Sequence, residues 1–213
     1  MKHAQNPKKK VKQIGGDKVL SVQNHPLSHP PIEMKLFKKI SLALVLVLGV
    51  LVWAAFNNHD DPPAVGDVAP DFTLVSNEGT EVTLSMYKGQ WVVLYFYPKD
   101  FTSGCTIQAR GFQRDMEQYI ERNAVILGVS VDDVDSHASF CEEESLTFKL
   151  LADTEADVSD MYGSVRGLAD AKISARNTFV INPAGFVAEV FLGVKPTPHS
   201  EEVLTTLARL QAK

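Results

Sequence analysis

One cysteine, Cys105, stands where the sequence makes a thiol reactive. It lies in the segment YFYPKDFTSGCT, directly after an apolar run and at the predicted start of a helix. Thr102 and Ser103 are residue types that cap helix N-termini well, and Gly104 allows close approach to the backbone. The first turn of a helix presents unpaired N–H groups and a partial positive charge, which stabilise a thiolate. We therefore expect Cys105 to be a nucleophile, with the hydroxyl of Thr102 close enough to donate to its sulfur and to accept a proton from a bound substrate.

Other kinds of chemistry have little support in the sequence. Cys105 and Cys141 are the two cysteines of the 213 residues, too few for a disulfide scaffold or a structural zinc site. No set of His, Asp and Glu in the sequence has metal-ligand spacing, and the sequence has no glycine-rich phosphate loop. The alternative for Cys105 is a small apolar residue of the core, which its place at a helix start makes less favourable.

The elements that must position Cys105 alternate between strands and helices. Trp91–Tyr97 and Ala124–Val131 are rich in β-branched and aromatic residues, as in strands buried on both faces. Shorter strands are predicted over Phe72–Val75, Glu81–Leu84 and Phe148–Ala152, and a hairpin over Thr178–Ile181 and Phe186–Phe191, with its turn at residues 182–185. Helices are predicted over Ser103–Arg122, Ser136–Leu146, Asp157–Tyr162 and Ser200–Gln211. This order predicts an α/β domain with a central mixed sheet flanked by helices.

A membrane segment is predicted ahead of this domain, within residues 35–58. No side chain from Ile40 to Asn58 is charged, and a helix of this length spans about 28 Å, close to the ~30 Å hydrocarbon core of a bilayer. Lysines stand before the run and two aspartates after it, so the positive-inside rule exports the residues beyond Asn58. We expect residues 40–58 to be an inner-membrane anchor or a cleaved signal, with the domain on the periplasmic side. A buried core helix is the alternative, but the run has no polar face.

The chain before and after this segment divides by composition and charge. Residues 1–34 are polar and aperiodic, as in a disordered tail, and Met34 begins a normal export signal, so translation from Met34 is a further hypothesis. Residues 59–66 are a predicted linker and residues 67–213 the domain. Residues 1–40 carry a formal charge of +7 and the remaining residues carry -12, which gives the net charge of -5. A basic tail on an acidic body argues against nucleic-acid binding and directs the tail to a membrane surface.

From Val65 to the C-terminal helix the chain resembles the peroxiredoxins, and within them the peroxiredoxin Q or bacterioferritin comigratory protein subfamily. The family's pattern Pro-x3-Thr-x2-Cys appears as Pro98, Thr102 and Cys105, inside the matching stretch YFYPKDFTSGCTIQA. The family's active-site arginine corresponds to Arg176 in ARNTFVINPAG. Further matching stretches are VGDVAPDFTL, GVSVDDVDSHASFC and FKLLAD. The resemblance implies a thioredoxin-like fold with the family's extra elements.

The resemblance also implies a thiol peroxidase that works without a bound cofactor or metal. Cys105 would attack the distal oxygen of hydrogen peroxide or an organic hydroperoxide and become a sulfenic acid. Arg176 would stabilise charge on the leaving oxygen and favour the thiolate. Thr102 and the N–H groups of Gly104 and Cys105 would position the peroxide, and Pro98 would shield the sulfur. A thioredoxin-like reductant and a monomeric state are implied as well.

Three positions depart from the family's pattern. Ser103 stands where proline is usual, and Gln108 stands where glutamate is usual, which changes the charges around the site. Many members carry a second, resolving cysteine five residues after the first, where this chain has Arg110. Other members carry it on a later helix, and Cys141 matches that arrangement, which implies a Cys105–Cys141 disulfide. Because a disulfide needs Cα atoms within about 7 Å, we expect both helices to unwind locally during turnover.

Two other functions remain to be distinguished. In a one-cysteine peroxidase, or in a redox-sensing or holdase module, Cys141 would be a structural residue of a helix. A thioredoxin-type disulfide reductase would need a Cys-x-x-Cys pair, and Gln108 occupies the second position. His137 is expected to face solvent or pack beside the pocket rather than act as a base. The acidic run 142–144 is expected to be a solvated helix face.

Overall fold

The computed structural model describes residues 61–167 and 172–212, which form nine strands and five α-helices. The strands are β1 Thr73–Ser76, β2 Glu81–Thr83, β3 Trp91–Phe96, β4 Ala124–Ser130, β5 Lys149–Ala152, β6 Val165–Arg166, β7 Ile173–Ser174, β8 Thr178–Ile181 and β9 Val187–Phe191. The helices are α1 Ser103–Arg114, α2 Met116–Glu121, α3 Val134–Glu144, α4 Asp157–Met161 and α5 His199–Gln211, and a 3-10 helix spans Leu84–Tyr87. The strands β6 and β7 form a separate antiparallel ribbon that was not predicted.

The predicted tail and membrane segment, residues 1–34 and 35–58, lie outside the described residues. Within residues 61–167 and 172–212, no helix is both long enough and apolar enough to cross a bilayer.

Seven of the strands form one sheet in the order β2-β1-β5-β4-β3-β8-β9. The pairs β3–β4 and β4–β5 are parallel and the others are antiparallel, so the sheet is mixed, as predicted. Parallel pairing places the carboxyl ends of β3 and β4 at the same edge of the sheet. The chain continues from β3 into α1 and from β4 into α3, so the helices that carry Cys105 and Cys141 begin side by side.

The central strand β3 explains why the sheet is covered on both faces. Val93 and Tyr95 belong to one apolar cluster, which includes both cysteines, and Val92, Leu94 and Phe96 belong to the other. All five are at most 2% exposed. An apolar run without alternation must be buried on both sides, which is what the sequence predicted for this strand.

The single helix predicted over Ser103–Arg122 is wrong in one respect, since it is broken at Asp115. Asp115 ends α1 and precedes α2, with φ -98° and ψ 7°. Its carboxylate is mostly buried and accepts from Arg114 Nε at 2.8 Å and Nη2 at 2.6 Å. The apolar periodicity of the segment does not reveal this break.

Part of the predicted linker is attached to the domain. The N–H of Gly66 donates to the carbonyl of Val187 at 2.8 Å. Pro62 lies so close to Gly163 that a Cβ added there would be 2.5 Å from the nitrogen of Pro62. Residues 62 and 66 therefore pack against the turn at Gly163 and the sheet, rather than extend away from them.

A matched pair of glycine substitutions tests the packing of the cysteine-bearing face. At Gly128 on β4, a Cβ would lie 2.6 Å from Leu150 Cδ2 and 2.8 Å from Tyr95 Oη. Because overpacking a core costs about 1–3 kcal/mol, Gly128→Ala should lower the free energy of unfolding by that amount. At Gly111 on α1 a Cβ would have its nearest neighbour, Ser200 Cβ, at 3.7 Å, which is an ordinary contact. Gly111→Ala should therefore raise the free energy of unfolding by about 0.5–1 kcal/mol, because alanine is the better helix former. Urea denaturation measures the free energy of unfolding of both variants. A value for Gly128→Ala equal to that of the wild type would contradict the packing described around Gly128.

Candidate active site

Cys105 lies in the first turn of α1, where the sequence placed it. Thr102 is the N-cap, with an extended backbone (φ -80°, ψ 142°), and its carbonyl accepts from the N–H of Thr106 at 2.9 Å. The N–H groups of the first helical residues, including that of Cys105, have no partner within the helix. The residue is 2% exposed. The thiol is therefore nearly buried at the positive end of a helix.

Arg176 reaches this thiol from the neighbouring strand. Strand β8 runs antiparallel to β3, and the N–H of Phe96 donates to the carbonyl of Asn177 at 2.8 Å. The residue before Asn177 therefore lies beside the end of β3, close to the start of α1. From there Arg176 Nη2 donates to Cys105 Sγ at 3.2 Å. Strand pairing thus joins two residues that are 71 positions apart in the sequence.

Gln108 fixes the orientation of the guanidinium. Arg176 Nη1 donates to Gln108 Oε1 at 2.5 Å, and Gln108 is 1% exposed. An amide holds the guanidinium without neutralising its charge, whereas a carboxylate at this position would share that charge. The substitution of glutamine for glutamate therefore leaves the positive charge available to the sulfur.

Gly104 leaves room for the guanidinium. A Cβ at this position would lie 3.2 Å from Arg176 Nη2 and 3.6 Å from Pro196 Cγ. The first of these distances is shorter than most contacts of a Cβ atom, so a side chain at this position would push the guanidinium by a few tenths of an ångström. Gly104 thus gives Arg176 its close approach to the helix start.

The hydroxyl of Thr102 does not have the predicted partner. Its Oγ1 donates to the carbonyl of Lys99 at 2.9 Å, so the expectation that it donates to the sulfur of Cys105 is wrong for this structure. The bond closes the loop between β3 and α1 and leaves the oxygen lone pairs free to accept. Pro98, in the same loop, is half-buried and lies two residues beyond the end of β3.

Comparison with known proteins settles the family. Residues 65–190 match the AhpC/TSA family. The chain is 39% identical to peroxiredoxin Bcp of Bacillus subtilis strain 168 over 153 residues, which cover 70% of this chain and 98% of that protein. It is 36% identical to peroxiredoxin Bcp of Escherichia coli strain K12 over 152 residues, which cover 69% of this chain and 97% of that protein. The chain belongs to the AhpC/TSA family.

Solved structures agree with this assignment. Peroxidoxin BcpB from Mycobacterium tuberculosis is similar with a TM-score of 0.66 and 32% identity, over 70% of this chain and 98% of that one. Peroxiredoxin Q from Xanthomonas campestris is similar with a TM-score of 0.64 and 32% identity, over 72% of this chain and 99% of that one. The resemblance to the peroxiredoxin Q subfamily and the thioredoxin-like α/β fold are therefore confirmed, and the protein is a peroxiredoxin, a thiol peroxidase.

The second cysteine of this peroxiredoxin lies in the same apolar cluster as the first. Cys141 is on α3, is 7% exposed and is a free thiol, as is Cys105. Burial raises the pKa of Cys141 to about 12, and the negative charge of Asp100 adds to the increase. The two cysteines therefore have opposite surroundings, because Cys105 faces a cation and a helix start whereas Cys141 lies near a carboxylate.

A buried polar network beside the cysteines was missed by the sequence analysis. His137 is fully buried, and its Nδ1 lies 2.8 Å from Asp100 Oδ2, so of its two expected positions, facing solvent or packed beside the pocket, the first is wrong. Asp100 also accepts from the hydroxyls of Tyr97 at 2.7 Å and Ser136 at 2.8 Å. The available signal was the spacing of four residues between His137 and Cys141, which places both on one face of α3.

The acidic run on α3 is only partly a solvated face. Glu142 and Glu143 are exposed, as predicted, but the side chain of Glu144 is 4% exposed and forms an ion pair with Arg110 on α1. Arg110 Nη2 lies 3.1 Å from Glu144 Oε1. The residue that stands where other family members have a resolving cysteine therefore joins the two cysteine-bearing helices.

Proposed function

We propose that this peroxiredoxin reduces hydrogen peroxide and organic hydroperoxides through a sulfenic acid on Cys105. The observation that carries the proposal is the hydrogen bond of 3.2 Å from Arg176 Nη2 to Cys105 Sγ at the start of α1. A guanidinium and a helix N-terminus together favour the thiolate, which is the nucleophilic form of a cysteine. The same guanidinium lies next to the oxygen that becomes negatively charged when the peroxide is cleaved.

The first step joins sulfur to oxygen. The thiolate of Cys105 attacks the distal peroxide oxygen, the O–O bond breaks, and the leaving oxygen takes up a proton to become water or an alcohol. Thr102, whose hydroxyl proton is engaged by Lys99, accepts from the peroxide O–H, and the N–H groups of Gly104 and Cys105 hold its oxygens. Pro98 shields the sulfur from bulk water. Alkyl peroxide reduction activity is described for the bacterioferritin comigratory protein of Xanthomonas campestris, 32% identical to this chain, which supports the inclusion of organic hydroperoxides.

Cys141 is the resolving residue in this proposal. Its thiol attacks the sulfenic sulfur of Cys105, an S–S bond forms, and the sulfenic oxygen leaves as water. A thioredoxin-like dithiol then reduces the disulfide and is itself oxidised to a disulfide. The shared apolar cluster and the adjacent starts of α1 and α3 support this pairing, with local unwinding of both helices to join the sulfurs.

One observation favours a second candidate, in which Cys141 is structural. The burial of Cys141 and its pKa of about 12 are what a cysteine without a redox role would show. The protein would then be a one-cysteine peroxidase, or a redox-sensing or holdase module. In that case an external thiol would reduce the sulfenic acid of Cys105 directly.

We also propose that the enzyme works as a monomer outside the cytoplasm, attached through residues 40–58 or released by their cleavage. The uncharged run of nineteen residues, the lysines before it and the aspartates after it support this location. The monomeric state is supported by the resemblance to the peroxiredoxin Q subfamily.

Removal of the guanidinium should slow the first step. Arg176→Leu is expected to lower the second-order rate constant for oxidation of Cys105 by about 10²–10³-fold, because a charge that stabilises the leaving oxygen is lost. Arg176→Lys should fall between this variant and the wild type, since it keeps the charge without the two-donor geometry. Stopped-flow mixing with hydrogen peroxide measures the rates. Arg114→Leu, the same change at an exposed arginine of α1, is the control, and an equal loss in both leucine variants would refute the role of Arg176.

The resolving role predicts a defined product. One equivalent of peroxide should convert the wild type to a species with a Cys105–Cys141 disulfide, seen by non-reducing mass spectrometry. Cys141→Ser should stop at the sulfenic acid and lose most of its thioredoxin-dependent turnover, while Cys105→Ser should not react. Full turnover by Cys141→Ser with thioredoxin would instead establish the one-cysteine alternative.

The proposed location predicts export of a reporter. Residues 1–66 fused to alkaline phosphatase should give periplasmic phosphatase activity, and the same fusion without residues 40–58 should give only background activity. Background activity from both fusions would show that the segment does not direct export.

A further inference from the structure

The pair of Asp100 and His137 forms a rigid buried unit between the two cysteine-bearing helices. His137 Nδ1 lies 2.8 Å from Asp100 Oδ2, and the two side chains are 0% and 1% exposed. The carboxylate is fixed by the hydroxyls of Tyr97 and Ser136 at 2.7 and 2.8 Å. The main-chain N–H of Asp100 donates to Asp132 Oδ2 at 2.9 Å. A carboxylate held at so many points sets the orientation of the imidazole ring.

The other ring nitrogen of His137 is available. Nε2 is fully buried and has no hydrogen-bond partner among the residues that the structure describes. When Nδ1 donates its proton to a carboxylate, the lone pair of a neutral imidazole is on Nε2. In that neutral form the ring presents a proton acceptor at Nε2, an atom for which the described part of the chain provides no hydrogen bond.

The thiol of Cys141 lies one helical turn beyond this ring. Residues four apart on a helix share a face, so His137 and Cys141 project from the same side of α3. Burial raises the pKa of Cys141 to about 12, so on the order of one thiol in 10⁵ is ionised at neutral pH. A thiol attacks a sulfenic acid slowly unless its proton is removed. The resolving step therefore needs a proton acceptor close to Cys141.

We propose that His137, oriented by Asp100, is the general base that accepts the proton of Cys141 when this residue resolves the sulfenic acid of Cys105. The inference rests on the resolving role given to Cys141 above. In the step, the thiol proton passes to Nε2, the sulfur of Cys141 bonds to that of Cys105, and the S–O bond breaks. The departing hydroxide takes the proton from the imidazolium, so that water leaves and neutral His137 returns. The proton passes while α3 is still wound and the two residues share a face, and the helix then unwinds to bring the sulfur to Cys105; catalytic hydrogen bonds often tighten only in the reacting state.

The charges around His137 favour this direction of proton transfer. Asp100 and Tyr97 face His137 from the connection between β3 and α1. Asp132 lies behind Asp100 in the connection between β4 and α3, and Cys141 is on the same helix as His137. Asp133 is bound to the N–H of Ser136 as the N-cap of α3. The carboxylate of Asp100 stabilises the imidazolium that forms, as a buried carboxylate does for a catalytic histidine.

The test separates the two chemical steps in the full chain. After one equivalent of hydrogen peroxide, samples are quenched with an alkylating agent at successive times, and mass spectrometry measures the sulfenic acid and the disulfide separately. His137→Gln should slow disulfide formation on the order of 10²-fold at neutral pH, and the rate should recover towards the alkaline range where Cys141 ionises unaided. In His137→Ala, added imidazole should restore part of the rate. Ser136→Ala is the matched control, because it removes one donor to Asp100 and keeps the imidazole. It should slow resolution much less and keep the pH profile of the wild type.

Each result decides a different point. A wild-type resolution rate and pH profile in His137→Gln would overturn the inference while leaving the Cys105–Cys141 disulfide intact. Equal losses in His137→Gln and Ser136→Ala, without rescue by imidazole, would show a purely structural role and overturn it as well. Failure of the wild type to form the disulfide would remove the resolving role and this inference together. If the histidine variants do not fold, the solvent isotope effect on the wild type still decides, since general-base catalysis moves a proton in the transition state and a rate of disulfide formation unchanged in deuterium oxide would overturn the inference.

Discussion

The hydrogen bond from Arg176 to the sulfur of Cys105 is the contact on which the rest of the active site depends. A nearly buried thiolate is unfavourable in an apolar cluster unless a positive charge compensates for the lost water. The antiparallel pairing of β8 with β3 brings the arginine to the end of the strand from which α1 begins. Gly104 leaves space for it, and Gln108 holds it without neutralising it. The fold thus supplies the sulfur with two sources of positive potential and no competing carboxylate at position 108.

The two cysteines are distinguished by electrostatics rather than by burial. Both lie in one apolar cluster, yet Cys105 meets a guanidinium and a helix N-terminus, whereas Cys141 lies within a helix and near the charge of Asp100. In the proposed cycle an oxidant that enters the cluster therefore reacts with Cys105, while Cys141 is still protonated. This difference sets the proposed order of events, because Cys141 would become nucleophilic only after the helices move or a base takes its proton.

Much of this arrangement could be predicted from the sequence, since it depends on local patterns. The run that forms β3, the hairpin of β8 and β9, and the place of Cys105 at a helix start all depend on residues that are neighbours in the chain. The contacts between Asp100 and His137, 37 positions apart, and between Arg110 and Glu144, 34 positions apart, depend on which helix faces meet. The target of the Thr102 hydroxyl depends on a single side chain that bonds the backbone, and the break at Asp115 is not marked by the apolar spacing of the segment. Periodicity carries no information about such choices.

The contacts between α1 and α3 bear directly on how the two sulfurs can meet. The proposed disulfide depends on local loosening of the helices, and the loop before α1 is tied to α3 through Asp100 and through the ring of Phe101, whose centroid is 5.1 Å from that of Phe140. Phe101 has a φ of 59°, a conformation that costs a residue with a side chain about 1–3 kcal/mol and that unwinding would release. Arg110 adds the ion pair to Glu144. Arg110, which stands where many family members have a resolving cysteine, therefore helps to hold the two helices together. In the proposed cycle, the contacts between α1 and α3 oppose the unwinding that brings Cys141 to Cys105, and the strain at Phe101 favours it.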